Sequence, residues 1–296
     1  MATTVTSSFK EFSSNLNISD RQESLVSTCR NNVVSKIGNS LQLHSSQPSK
    51  LIGSYDRDTI TRCLIEGDVD VMVVLHYGKN KDWDNEEGVS KALNKFKEIL
   101  KESYPKTECN IDRNCITMKL SEFRLDVVPA FRFNDGTYTI PDTYRKKWLS
   151  TDPVSFSSEV TRINKNMDGT FIPLIKMVKG WNRTFNKKLR GFHIECMMIH
   201  HYKNYKESYS YQSTLRVFFS KLPSYLGRAM YDPITGDRAD LYLDNESLGY
   251  NREHFIKRAT KASESAEEAF QDSDKYPSIA IGEWKALFGE FFPTYG

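Results

Sequence analysis

No stretch of the chain approaches the roughly 18 consecutive apolar residues that a membrane-spanning helix needs, and Met1 to Ser14 lacks the basic-then-apolar order of a secretory leader. Both absences predict a cytoplasmic location and no membrane partner. Cysteine is sparse: Cys29, Cys63, Cys109, Cys115 and Cys196 make five, an odd number with no C-x-x-C pair, which argues against a disulfide framework. All five are read as free thiols, with Cys109 and Cys115 flanking the hairpin turn Asn110-Ile111-Asp112-Arg113-Asn114 and so placed to lie across from each other. His193, His200 and His201 stand near Cys196, but their spacing matches no standard structural zinc pattern, and packed or solvated histidines are the reading. An excess of one charge is missing as well. Lys+Arg 41 against Asp+Glu 38 leaves a formal +3, which argues against a stable complex with long nucleic acid and leaves room for a local basic cleft and small anionic substrates. No internal repeat or low-complexity tract interrupts the chain.

What is present is an ordinary globular composition: 296 residues, 39% hydrophobic and 27% charged, enough to bury a sizeable core as one large or two intimate domains. Residues 1–18, rich in Ser, Thr and Asn, are expected to begin disordered and then pack as a short helix. Asp20 reads as the N-cap of a long helix through Leu41, with Leu25, Val26, Cys29, Val33 and Ile37 as its apolar stripe. A short strand Lys50-Leu51-Ile52 follows, then a helical turn over Asp58 to Glu66 and an apolar strand ending near Leu75. A solvated loop from Gly78 to Glu86 leads to an amphipathic helix from Glu87 to Ser103. Cys109 to Leu120 and Glu122 to Phe133 read as a long antiparallel hairpin. Beyond Asp135-Gly136 and Pro141-Asp142 the periodicity turns helical, over Phe156 to Asp168, Pro173 to Asn186, Phe192 to Lys203, Tyr211 to Leu222, Glu246 to Phe270 and Ser278 to Phe291. The expectation is an α+β fold in two domains, 1–150 with a sheet and 151–296 helical, with a cleft between them as the default ligand site.

The most informative residues are Ile52-Gly53-Ser54, followed after thirteen residues by Asp68-Val69-Asp70-Val71 and later by Asp126 within Phe123-Arg124-Leu125-Asp126-Val127-Val128. Strand side chains alternate, so Asp68 and Asp70 share one face while Val69, Val71 and Val73 take the other. Asp126 stands likewise with Arg124 and Val128, opposite Phe123, Leu125 and Val127. If the strands pair, three carboxylates converge. Like charges that close raise one another's pKa unless a cation neutralises them, and an all-oxygen donor set suits magnesium or manganese. A D-x-D pair alone is often a solvated strand end. Here it is embedded in the apolar run Val69 to Leu75, where an unpaired carboxylate is expensive. Gly53 lets a phosphate approach the backbone, and Ser54 offers a hydroxyl and a backbone N–H, the elements of a triphosphate grip. Arg57 in the same turn is either a phosphate contact or a surface arginine.

Together these residues resemble the DNA polymerase β-like nucleotidyltransferase superfamily, whose pattern is hydrophobic-Gly-Gly/Ser, then Asp/Glu-hydrophobic-Asp/Glu, then a third acid on a later strand. Gly53 to Thr59, Gly67-Asp68-Val69-Asp70, Leu125 to Ala130, Leu174 to Asn182 and Phe192-His193-Ile194-Glu195 are similar to the bacterial CD-NTases. These are relatives of cyclic GMP-AMP synthase and oligoadenylate synthetase that make cyclic oligonucleotide second messengers in anti-phage defence (CBASS). The similarity runs from the long first helix to Phe288 to Pro293. It implies a polymerase β-like core with a mixed or antiparallel sheet, packed on a C-terminal oligoadenylate synthetase-like helical domain, with the active site in the cleft between.

The resemblance also implies roles. Asp68 and Asp70 would hold two Mg²⁺ (or Mn²⁺) ions, and Asp126 would complete the catalytic one and receive or orient the ribose hydroxyl that attacks an α-phosphate, expelling pyrophosphate. A second round would close a cyclic di- or trinucleotide. Lys179 corresponds to a family lysine that reaches the donor triphosphate; Lys176 is its solvated neighbour or a second phosphate contact; Phe192 stacks on a base or packs in the core. Gly191 stands where some relatives carry a serine, which removes one phosphate contact. Tyr231-Asp232-Pro233 resembles the loop after the family's helical core, with no catalytic role assigned. The implied substrates are NTPs, ATP with GTP, UTP or CTP as further candidates. The implied partners are a downstream effector reached through the product and an enzyme resembling a ubiquitin-transfer system acting at Gly296. The cysteine-histidine zinc insertion of the animal synthases is absent, and with it a reason to expect double-stranded DNA sensing. Two rival functions remain: a nucleotidyltransferase acting on RNA ends or a protein target, which predicts an extended basic groove, and a catalytically silent nucleotide-binding sensor, against which the presence of all three acids counts.

Overall fold

A computed structural model describes residues 3–186, 188–204 and 210–296, with the backbone alone at Glu66. In chain order the elements begin with α1 (Val5–Asn15), α2 (Asp20–Ser40), β1 (Ser49–Ile52), α3 (Gly53–Asp56), β2 (Asp68–Val74), α4 (Tyr77–Asn80) and α5 (Glu86–Ser103). Strands β3 (Glu108–Asp112), β4 (Cys115–Lys119), β5 (Arg124–Arg132), β6 (Tyr138–Asp142) and β7 (Lys147–Thr151) come next. The chain then runs through α6 (Pro153–Asn166), α7 (Phe171–Arg183), α8 (Gly191–Asn204), α9 (Tyr211–Leu226), α10 (Arg252–Gln271) and α11 (Pro277–Phe288). Contacts gather it into two units, Ile18–Ser155 and Met1–Asn17 with Phe156–Gly296.

The first of these units is built on a mixed sheet of order β1-β2-β5-β4-β3, with β6 paired to β5 and β7 to β6. β2 and β5 run parallel and the remaining pairs antiparallel. Alternation puts Val69, Val71 and Val73 of β2 with Leu125 and Val127 of β5 into a core closed by Val33 and Ile37 of α2 and Leu93 and Phe96 of α5. Each such buried side chain contributes about 1.5–3 kcal/mol. That burial pins the register, since a one-residue slip would turn the strand's aspartates into the core. The opposite face carries a smaller cluster of Met72, Val74, Cys115, Val128, Ala130 and Tyr138.

Several local expectations need correction. Ser19, not Asp20, caps α2: its hydroxyl accepts from the Gln22 N–H while the Gln22 side chain accepts from the Ser19 N–H. Asp20 instead opens the first turn, where the helix dipole favours an acid. Only Leu64–Glu66 is helical in the Asp58 to Glu66 segment. Gly78 to Glu86 is no solvated loop, because α4 and the turn Lys81–Trp83 bury Trp83, whose carbonyl accepts from Trp148 Nε1 at 2.7 Å. The β6–β7 hairpin has no counterpart in the expected pattern. Cys109 pairs with Met118 and Cys115 with Asp112, so those thiols do not face each other; none of the five cysteines is in a disulfide.

The helical unit holds α1, most of α6 and α7 to α11. Its core joins Leu174, Met177 and Trp181 of α7 to Phe218, Phe219 and Leu222 of α9, with Ala259, Ala262, Ala266 and Ala269 of α10 giving the close approach that small side chains allow. The first residues, expected beside the sheet, pack here instead: Phe9 meets Trp284 and Phe292 edge-on at 5.1 Å, and Phe12 lies 4.8 Å from Phe288. A capping box on Thr4 starts that helix. The expected Glu246 to Phe270 helix begins at Arg252, after a separate turn that Gly249 ends at φ 71°. No helix among the described residues is long and apolar enough to cross a membrane.

Candidate active site

Three aspartates share the sheet face opposite the main core. The parallel register sets Asp70 beside Asp126 and Asp68 beside Arg124, neighbouring strands being about 4.8 Å apart. Burial pushes the Asp126 carboxyl above its ordinary range and the Asp68 charge adds to this, while a hydrogen bond from the Thr117 hydroxyl opposes it. Thr117 is the cross-strand partner of Asp126 on β4. Asp126 Oδ1 and Asp68 Oδ1 are both buried and accept no hydrogen bond. Arg124 Nε lies 2.6 Å from Asp68 Oδ1 as an ion pair, but out of hydrogen-bond geometry. Among the described residues no three His, Cys, Asp or Glu side chains are already drawn into a chelating cluster. What the sheet supplies is an all-oxygen donor set on adjacent positions with two oxygens lacking donors, and that set fits a hard divalent cation.

Gly53 closes the site from β1. Its φ is 70°, and a Cβ there would stand 2.1 Å from Asp70 Oδ2, so only glycine lets the turn lie against that carboxylate. Ile52 is paired with Asp70, which is why the turn emerges at this height. The carbonyl of Ser54 accepts from the N–H groups of Thr59 and Ile60 at 2.9 and 3.0 Å, tying the turn to the segment that follows. Arg57 is buried in the same turn, not spread on the surface.

The candidate residues of the helical unit form their own group. Lys179 Nζ donates to Glu195 Oε1 at 2.7 Å, with the carboxylate fully buried and the lysine 12% exposed. Gly191, where a serine was the alternative, stands beside it: a Cβ there would meet Lys179 Cε at 3.5 Å, ordinary contact. Lys176 is not a solvated neighbour; it is buried and donates to Asn17 Oδ1 at 2.9 Å. Phe192 is 39% exposed and lies on Phe156, its ring centroid 4.9 Å away, so it is not a core side chain. His193 Nδ1 and the Tyr242 hydroxyl are 3.0 Å apart, and burial pulls the imidazole down to about 4. His201 is similarly placed against the Tyr225 hydroxyl. His200 sits 2.7 Å from an Arg228 nitrogen. Sequence reasoning assigned no role to Thr117, Arg124 or Glu195. Thr117 becomes visible only once the β4–β5 register is known.

A seven-stranded mixed sheet bearing a Gly-Ser turn and three aspartates, together with a helical unit, has the fold of a nucleotidyltransferase. A profile of the Second Messenger Oligonucleotide or Dinucleotide Synthetase domain matches residues 3–164, more than half of the chain. The chain belongs to this family, the bacterial CD-NTases. It is 25% identical over 269 residues to the cyclic AMP-AMP-AMP synthase of an Acinetobacter species, covering 82% of this chain and 72% of that protein. It is 30% identical over 207 residues to a probable cyclic nucleotide synthase of Bacillus cereus, covering 65% and 59%. The fold is similar to that of E. coli MS115-1 CdnC in complex with HORMA-deltaN, at TM-score 0.72 and 17% identity over 97% of this chain and 98% of that one. It is also similar to the Vibrio cholerae DncV cyclic AMP-GMP synthase, at TM-score 0.66 and 14% identity over 83% and 70%.

Proposed function

We propose that this protein joins NTPs into a cyclic di- or trinucleotide second messenger with release of pyrophosphate, using Asp68, Asp70 and Asp126. The observation that carries the reading is the parallel register that sets Asp126 beside Asp70, with Gly53 against Asp70 Oδ2. Asp68, Asp70 and Asp126 are the residues that would hold two Mg²⁺ or Mn²⁺ ions. When bound, such ions stabilise negative charge on the attacking and leaving oxygens. The chain's own groups do the rest. The Gly53-Ser54 turn presents backbone and hydroxyl donors to a triphosphate, and the Arg57 charge in the same turn favours an anion. Asp126 receives or orients the attacking ribose hydroxyl. Lys179 contacts the donor triphosphate while Glu195 holds it. The exposed Phe192 ring offers a stacking platform for a base. Lys176, engaged with Asn17, supports that helix from within in preference to reaching phosphate.

The wider setting follows the family: a cytoplasmic enzyme in anti-phage signalling, ATP among its substrates, an effector that answers to the product, and a conjugating partner resembling a ubiquitin-transfer system at Gly296. Incubation of the purified protein with labelled NTPs and Mg²⁺, followed by phosphatase, tests the activity. Phosphatase-resistant label that disappears in Asp68→Ala/Asp70→Ala is the expected result. Label transferred to RNA ends or to a protein, with none resistant as a small product, would overturn it. Unchanged cellular conjugates after deletion of Gly296 would remove the partner from the account.

A further inference from the structure

We infer that Arg124 is the internal counter-ion of the carboxylate site, a guanidinium that neutralises Asp68 in the absence of a divalent ion and must leave it when one binds. The inference rests on the metal reading of the three acids. Its own support is geometric. Parallel pairing of β2 and β5 puts Arg124 opposite Asp68 in the same way that it puts Asp126 opposite Asp70, so the side chains of all four alternate onto one face. Arg124 Nε stands 2.6 Å from Asp68 Oδ1, yet that oxygen accepts no hydrogen bond. Close approach without directional donation leaves mainly the Coulomb part of the contact. Both side chains are partly open to solvent, at 47% and 40%, although the contacting Asp68 oxygen is itself buried, so water screens the pair only in part.

The other charged groups nearby leave Asp68 as the natural partner. Lys119 faces Arg124 across β4 and repels it. Glu122, the acid two residues before it, is engaged by Arg21. The Arg124 charge also reaches Asp126, where it opposes the effect of burial. One side chain thus relieves two of the three carboxylates. A dication in the same place carries twice the charge and takes the donor-free oxygens directly, and a guanidinium beside it is then a like charge. Metal affinity is therefore a competition, weakened by the amount that Arg124 already satisfies the acids.

Titration with Mn²⁺ alone, nucleotide absent and salt fixed, reads this through the electron spin resonance signal of the free ion. Arg124→Gln is expected to bind Mn²⁺ about three- to tenfold more tightly than the natural chain, the range for loss of one exposed like charge against a dication. Arg124→Lys, which keeps the charge, should stay close to the natural affinity. Thermal melting without metal supplies a second reading: Arg124→Gln should melt lower than the natural chain and gain more from Mn²⁺. Unchanged or weaker Mn²⁺ binding by Arg124→Gln would overturn the inference while leaving the site intact. If the natural chain binds no Mn²⁺, or binds it equally well after Asp68→Asn/Asp70→Asn, the metal reading itself falls, and the inference with it.

Discussion

Gly53 shows how little freedom a residue can have at this site. Its backbone lies at φ 70°, and any side chain would run into Asp70 Oδ2 at 2.1 Å. A left-handed backbone costs a non-glycine residue about 1–2 kcal/mol, and the clash displaces the carboxylate as well. Gly53→Ala should therefore lower stability by about that amount in chemical denaturation and reduce NTP turnover by about 100-fold or more, since an ångström's misplacement carries that penalty. Asp126 works in the opposite sense. Its carboxyl is buried beside Asp68 with one oxygen lacking a donor, so Asp126→Asn should abolish turnover, by about 10³-fold or more, while the metal-free protein melts no lower than the natural chain. A marked loss of stability in Asp126→Asn would mean that the carboxylate is structural. The convergence of Asp70 with Asp126 and the tight turn at Gly53 were readable from residue type and strand alternation. Lys176 was not, because nothing in Lys176-Met177-Val178-Lys179 distinguishes the lysine that is buried against Asn17 from the one beside Glu195.

Elements were legible where burial repeats with a clean period. The stripe Val26, Val33 and Ile37 gives α2, and the apolar run after Asp70 gives β2, as the buried residues bear out. β6 and β7 escaped because Pro141 and the charged Arg145-Lys146-Lys147 break up five-residue strands whose pairing depends on distant contacts, such as Arg113 with the buried Asp142 at 2.7 Å. Helix α1 was expected as a short packed helix, and the structure has one; what escaped was its place, because its Ser and Asn content hides Phe9 and Phe12, which only the aromatic wall of Trp284, Phe288 and Phe292 turns into anchors. Phe12→Ala should cost about 3–5 kcal/mol, read as an earlier denaturation midpoint. Helix α8 carries a pH dependence. Burial draws His193 and His201 each down to about 4 from an ordinary 6.5, so the unfolded chain binds their protons first. Their contribution is complete above pH 6.5 and is lost as pH falls from there towards 4, by up to about 3 kcal/mol each. Denaturation midpoints followed over that interval should fall steeply in the natural chain and less so in His193→Gln/His201→Gln; equal slopes would contradict the assignment.

At the scale of the molecule, the family match covers residues 3–164, from α1 through most of α6, and so includes every residue of the carboxylate face. A formal charge of +3 is compatible with a protein acting on small nucleotides and is modest for one that holds a long polyanion. The two-part organisation was visible in the sequence as a change from period two to helical period, whereas the placement of residues 1–17 with the helical unit depended on contacts across the length of the chain. The central claim is that one carboxylate face makes and then closes a chain of nucleotides. Mass spectrometry of the phosphatase-treated products from the four NTPs with Mg²⁺ tests it most directly. The account predicts a product whose mass equals two or three nucleoside monophosphates less one water for each, present with the natural chain and absent with Asp126→Asn. Products that phosphatase reduces entirely to nucleosides or linear dephosphorylated chains, or a cyclic product that persists in Asp126→Asn, would contradict it.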